Sequence, residues 1–141
     1  MVTGEALARQ YVETFNRRDV AGWAALFTAD AVIHAPLFPE SIKGRDAIEA
    51  LLESIWRAFP DMQWRLLRPV IDAGDRVAFE LAANGVNDGP LEMPDGELSA
   101  TGRPVSFETA VCWSVGQDGL VTEERSYFDA TGVAAQLGLT S

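Results

Sequence analysis

Cysteine and histidine occur once each in these 141 residues, as Cys112 and His34. A single cysteine excludes an internal disulfide, and one cysteine with one histidine cannot assemble a zinc site of Cys and His ligands within one chain. Carboxylates are plentiful, but no ligand loop for a hard cation is visible, so neither a metal nor another cofactor is expected. Positive charge is scarce too: 11 Lys and Arg stand against 21 Asp and Glu, a formal net charge of −10. A surface of that sign repels phosphate backbones and anionic lipid head groups, which argues against nucleic acid and membrane partners. No apolar run approaches the roughly 20 residues of a membrane-spanning helix. "MVTGEALARQ" has no basic start followed by an apolar segment, so a cytoplasmic protein is the expectation. Also missing are a glycine-rich phosphate loop, a nucleophile elbow and a paired-carboxylate signature.

What is present suits one compact domain, residues 1–141, with 48% hydrophobic residues to fill a single core. In "GEALARQYVETFNRRD" Leu7, Tyr11, Val12 and Phe15 recur at helical spacing, and Asp19 is placed to cap a second, short helix bearing Val20, Trp23, Ala24 and Phe27. "AVIHAP" reads as a short strand stopped by Pro36. From Arg45, the series Ile48, Leu51, Leu52, Ile55, Trp56, Phe59 marks the strongest helix, closed by Pro60. "MQWRLLRPVI", "RVAFELAANGV", "RPVSFETAVCWSV" and "LVTEERSYF" follow as candidate strands, the first an edge or a bulged strand because of Pro69. "NDGPLEMPDGELSATG" is the one long loop, a candidate lid or rim of a site. Helices first and strands afterwards indicate an α+β domain with helices on one face of a mostly antiparallel sheet.

That order, with "YVETFNRRDVAGWAALFTADAVIHAP", "KGRDAIEALL" and "SYFDATGVAAQLGL", resembles the SnoaL-like polyketide cyclases of the nuclear transport factor 2-like superfamily. The resemblance covers nearly the whole chain. It implies a cone: a curved, mostly antiparallel sheet with three N-terminal helices enclosing an apolar pocket, commonly in a homodimer. It also implies a general acid/base aspartate on the last strand, three residues before the "YFD" aspartate, and an assisting histidine on the preceding strand. Here those places hold Ser126 and Val111, or Cys112 if the turn is aligned one residue shorter. The Arg-x-Asp of the limonene epoxide hydrolases falls on Glu80 and Ala82. The ketosteroid isomerase pattern keeps its tyrosine at Tyr11 but meets Ala35 and Val111 at its acids. Each of these chemistries is therefore contradicted at its central residue.

The candidates left for proton transfer are His34, Glu80 and Glu124. His34, in a histidine-x-proline pattern common among SnoaL-like proteins, is of the residue type suited to general acid/base work at neutral pH; the alternative is a strand-end histidine turned away from the cavity. Glu80 interrupts the apolar run "VAFELAAN", either as a pocket carboxyl of raised pKa or as a solvent-facing residue on the other sheet face. Glu124 shares a strand face with Ser126 and Phe128, which makes it the nearest carboxyl along that strand if Ser126 faces the cavity; the rim of the sheet is the favoured alternative. Tyr11, Trp56, Phe59, Val111, Trp113 and Phe128 are pocket wall under the resemblance, although aromatics at the spacings of Tyr11, Trp56, Phe59 and Trp113 are more often simply core, and Ser126 is a ligand-orienting hydroxyl. Asp129 is read as a helix cap.

The expected ligand is thus an apolar small molecule, acted on without a cofactor as a carbonyl or polyketide-type substrate, or else held without turnover by a binding module of the same fold. A homodimer is expected because the strands bearing "FELAA" and "AVCWSV" look too apolar to leave one face in water.

Overall fold

The computed structural model describes residues 3–139. Thr3 opens helix α1 (Gly4–Asn16) by accepting a hydrogen bond from the Ala6 N–H at 3.1 Å, and Leu7, Tyr11, Val12 and Phe15 form its buried stripe. Asp19 caps α2 (Val20–Ala24) through the Gly22 N–H at 2.9 Å. Strand β1 (Phe27–His34) and the two-residue β2 (Ile42–Lys43) precede α3 (Arg45–Ala58), whose Ile48 and Leu52 are fully buried. The second half holds β3 (Gln63–Leu66), β4 (Ile71–Asp72), β5 (Arg76–Val86), β6 (Leu91–Met93), β7 (Gly96–Leu98), β8 (Pro104–Val115) and β9 (Val121–Tyr127). Helix α4 (Ala130–Gln136) closes the described chain, capped by Asp129, which accepts from the Gly132 N–H at 2.9 Å.

The main sheet runs β2-β1-β9-β8-β5-β3, with β4 also paired to β5. Every pairing is antiparallel except that of β1 with β9. This is the mixed α+β architecture implied by the resemblance, a sheet curved into a cone over its helices. Three local departures have physical causes. Strand β1 starts at Phe27, ahead of "TAD", because a register shift between Phe27 and Val32 absorbs the polar residues. "MQWRLLRPVI" is two strands, β3 and β4, interrupted around Pro69, and β3 forms a sheet edge. The long loop is not structureless: Leu91–Leu98 folds as the hairpin β6–β7.

Alternation sorts the sheet's two faces. On β5 and β8 the large apolar residues Phe79, Leu81, Val111 and Trp113 are buried inside, while Ala78, Glu80, Ala110 and Cys112 alternate with them on the outer face. The outer face is therefore less apolar than strand composition suggests. Its exposed large residues are Ile71 and Tyr127, which flank β5 and β8.

The hairpin is fixed at its base by Asn87. This residue is fully buried; its Nδ2 donates to the carbonyls of Ala58 and Gly89, each at 3.0 Å, and its Oδ1 accepts from the N–H and hydroxyl of Thr101, each at 2.9 Å. Both ends of the segment are thus tied to the end of α3. Gly89 packs so close to the Arg57 carbonyl that a Cβ has no room. Farther out, the Arg57 guanidinium lies 2.9 Å from Glu97 and 3.5 Å from Glu92, offsetting the repulsion of two carboxylates paired across the hairpin. Those partners are about half exposed, so the ion pairs contribute little next to Asn87. Asn87→Ala strands buried partners and is expected to cost about 2–4 kcal/mol. A lowered urea midpoint at unchanged m-value measures it; an unchanged midpoint contradicts the clamp.

Candidate functional site

A cavity of about 180 Å3 lies between the inner sheet face, α3 and the hairpin. Leu52, Ile55 and Phe59 supply one wall, Leu81, Phe107 and Val111 the sheet wall, and Leu91 and Met93 the hairpin side. Into this mostly apolar space the sequence places few polar groups: Tyr11, Ser54, Glu92, Thr109, Glu124 and Ser126.

Glu124 is only 4% exposed. Its position follows from register: β9 aligns it with Ile33 of β1 on one side and directly opposite Trp113 of β8 on the other. The cross-strand partner donates its indole Nε1–H to Glu124 Oε1 at 2.9 Å. The Tyr11 hydroxyl, from α1, interacts with the same carboxyl group. Burial pushes the Glu124 pKa up to about 7, and the bonds from Trp113 and Tyr11 pull against that rise without cancelling it. Tyr11 is shifted the same way: burial first, then the charge of Glu124, holds its pKa well above the usual phenol value, so it stays a protonated donor. The site therefore offers one carboxyl group that exchanges its proton near neutrality and one phenol that does not.

The other sequence candidates are dispersed. His34 lies outside the cavity wall, between lining residues Ile33 and Ala35, with its Nε2 3.0 Å from Glu123 Oε2. The resulting outer cluster includes Arg125, 3.4 Å from the same Glu123, whose pKa is lowered chiefly by the His34 bond. Glu80 likewise does not line the cavity; it pairs at 3.0 Å with Arg68, about half exposed. Neither therefore joins Glu124 in the cavity lining. Glu124 itself is not at an exposed rim, as the sequence favoured, but in the interior. Tyr11, Phe59, Val111, Ser126 and Phe128 do line the cavity. Trp56 does not: it packs on Phe15 and under the Arg18 guanidinium. Trp113 is fully buried behind the wall and reaches the site only through Glu124. Ser126 has a long contact of 3.5 Å from its hydroxyl to the His34 carbonyl, so its hydrogen-bonding capacity is largely free.

Thr109 was missed from sequence although it lies two residues from Val111 on the same strand face, where alternation points to it. The lining residues of the hairpin were missed because nothing local shows which way a loop folds back. Among the described residues no group of three or more His, Cys, Asp or Glu is arranged to hold a metal ion.

The family model for the SnoaL-like domain matches residues 8–124. The chain belongs to the SnoaL-like family. A search of curated proteins gave no match. Among solved structures, this SnoaL-like chain is similar to IdmH, a candidate polyketide cyclase from Streptomyces antibioticus, at 26% identity over 96% of this chain and 98% of that one, with a TM-score of 0.76. AclR, a candidate hydroxylase from Streptomyces galilaeus, shares 24% identity over 97% of this chain and 82% of its own, with a TM-score of 0.78. A Catenulispora acidiphila protein of ketosteroid isomerase-like fold, in complex with trimethylamine, superposes at a TM-score of 0.77 with 18% identity over 95% and 93% of the two chains.

The shifted carboxyl group makes stability depend on pH. A glutamate near 4.5 when unfolded and near 7 when folded binds more protons in the folded chain between those values, so stability is full below about 4.5 and falls as pH rises to about 7. The loss expected from this group is about 3 kcal/mol. Glu124→Gln should flatten that part of the stability profile and melt higher than the wild type at pH 8; a parallel profile for the two proteins would show that Glu124 is not shifted.

Proposed function

We propose that this SnoaL-like chain is a cofactor-free acid–base enzyme acting on a small apolar carbonyl compound, of polyketide type, with Glu124 as the proton-transfer group. The observation that carries the reading is a carboxyl group buried in the cavity wall with a pKa of about 7, fit to accept and return a proton at neutral pH. As a carboxylate it takes a proton from carbon beside a carbonyl; the charge that develops on the substrate oxygen is met by hydroxyl donors of the wall such as Ser126, while Tyr11, which stays protonated, keeps its O–H on the Glu124 carboxyl group. Returned to a different atom, or followed by attack of the carbanion on a second carbonyl, the same proton gives isomerisation or ring closure. Ser126 stands at the family's aspartate position and cannot itself be that acid without an adjacent base; its role is to orient the ligand. The likeness to a candidate polyketide cyclase at 26% identity supports the substrate class.

The replacement by Ser126 also favours a second reading, in which the cavity holds its ligand without turnover. A panel of diketones and polyketide-like esters separates the two. The catalytic reading expects a rate that rises with pH through an apparent pKa of about 7 and falls by about 10²–10⁴ in Glu124→Gln. Ser126→Ala should weaken binding by only roughly 0.5–1.5 kcal/mol. Binding with no turnover, unchanged in Glu124→Gln, supports the module instead.

The expected partner beyond the ligand is a second copy, seated on the outer sheet face where Ile71 and Tyr127 are exposed beside the half-buried Ala78, Ala110 and Cys112. Sedimentation should show a dimer that Tyr127→Glu dissociates; a monomeric wild type at micromolar concentration contradicts it.

A further inference from the structure

The cavity is charged with one sign only. The described residues lining it include the carboxyl groups of Glu124 and Glu92 and no lysine, arginine or histidine. An anionic ligand has no cation to receive it there. It also meets Glu124 across a medium that screens poorly, after approaching a chain of net charge −10. A cation meets the opposite conditions. Glu124 supplies the counter-charge, with Trp113 and Tyr11 engaging two of the roughly four lone-pair positions that a carboxylate offers. The aromatic residues Phe38, Phe59, Phe107 and Phe128 line the remaining space, and aromatic rings are a surface that attracts a cation. The apolar lining penalises a strongly hydrated primary ammonium and suits a nitrogen whose substituents are themselves apolar.

We propose that the cavity binds a small apolar tertiary amine in its protonated form, the N–H donated to the Glu124 carboxylate and the hydrocarbon body packed against the aromatic wall. This names a ligand class for the same site, beyond the carbonyl substrate, and rests on the reading of Glu124 as its working carboxyl group. The proton stays on nitrogen in the bound complex, so no covalent step is involved. Tyr11 on α1 is the other titratable group against Glu124; its neighbours on β1 and β8, Ile33 and Trp113, carry none, and Glu92 belongs to the hairpin.

Three probes of similar shape test the proposal by calorimetry at pH 8, where Glu124 is mostly ionised: N,N-dimethylbenzylamine as the cation, N,N-dimethylbenzamide as the neutral analogue and phenylacetate as the anion. The amine should bind at least about tenfold more tightly than the amide, and phenylacetate most weakly. Glu124→Gln should remove the amine's advantage over the amide, and measurable amide binding by the same variant shows that the cavity is intact. Glu124→Asp, which keeps the charge, should retain a preference. Equal affinities for amine and amide, no binding of the amine, or an advantage that survives in Glu124→Gln overturns the inference. Turnover of amine-free ketones that depends on Glu124, without an amine preference, would remove this inference and leave the acid–base reading standing. An amine preference without turnover would do the reverse.

Discussion

The Trp113 indole N–H, 2.9 Å from Glu124, is the contact on which the site depends. A carboxyl group in an apolar interior is tolerated only with a partner, and this partner is itself immobile. Trp113 is fully buried and held edge-on by Tyr11 and Phe79, with ring centroids 5.2 and 4.7 Å away. The direction of the carboxyl group is therefore set by the packing of the aromatic core. Packing and chemistry are inseparable here, since any change that rotates the indole also rotates the acid.

The two neighbouring glutamates of β9 show how much environment decides. Glu123 and Glu124 are identical side chains one residue apart, and the strand sends them to opposite faces. Glu123 meets His34 and Arg125 at the solvent side, and its pKa falls; Glu124 meets hydrocarbon, and its pKa rises. The sheet between them is the only separation needed for the two carboxyl groups to shift in opposite directions.

That difference explains what the sequence could and could not reveal. The helices were legible because their apolar spacing and caps are local: Asp19 and Asp129 both accept the bonds their positions suggest. Strand parity was legible on β9, where Glu124, Ser126 and Phe128 share the cavity side. It was also available on β5, where Phe79 and Leu81 facing inward leave Glu80 outside. Parity on β1 was obscured by the register shift that precedes Val32, so the face of His34 could not be counted from the strand's start. The depth of Glu124 was beyond local reading altogether, because it is produced by Trp113 across the sheet and Tyr11 from a helix over 100 residues earlier in the chain.

Asn87 gathers both ends of the hairpin segment into one buried knot at the end of α3. Mechanically, this isolates the intervening residues from the sheet: they can be lengthened, shortened or exchanged while the two attachment points stay in register. The wall that Leu91 and Met93 present to the cavity is thus a replaceable part, and the buried carboxyl group a fixed one. A lineage built on this arrangement can explore new cavity shapes through that segment alone, without reopening the problem of how to keep an acid buried.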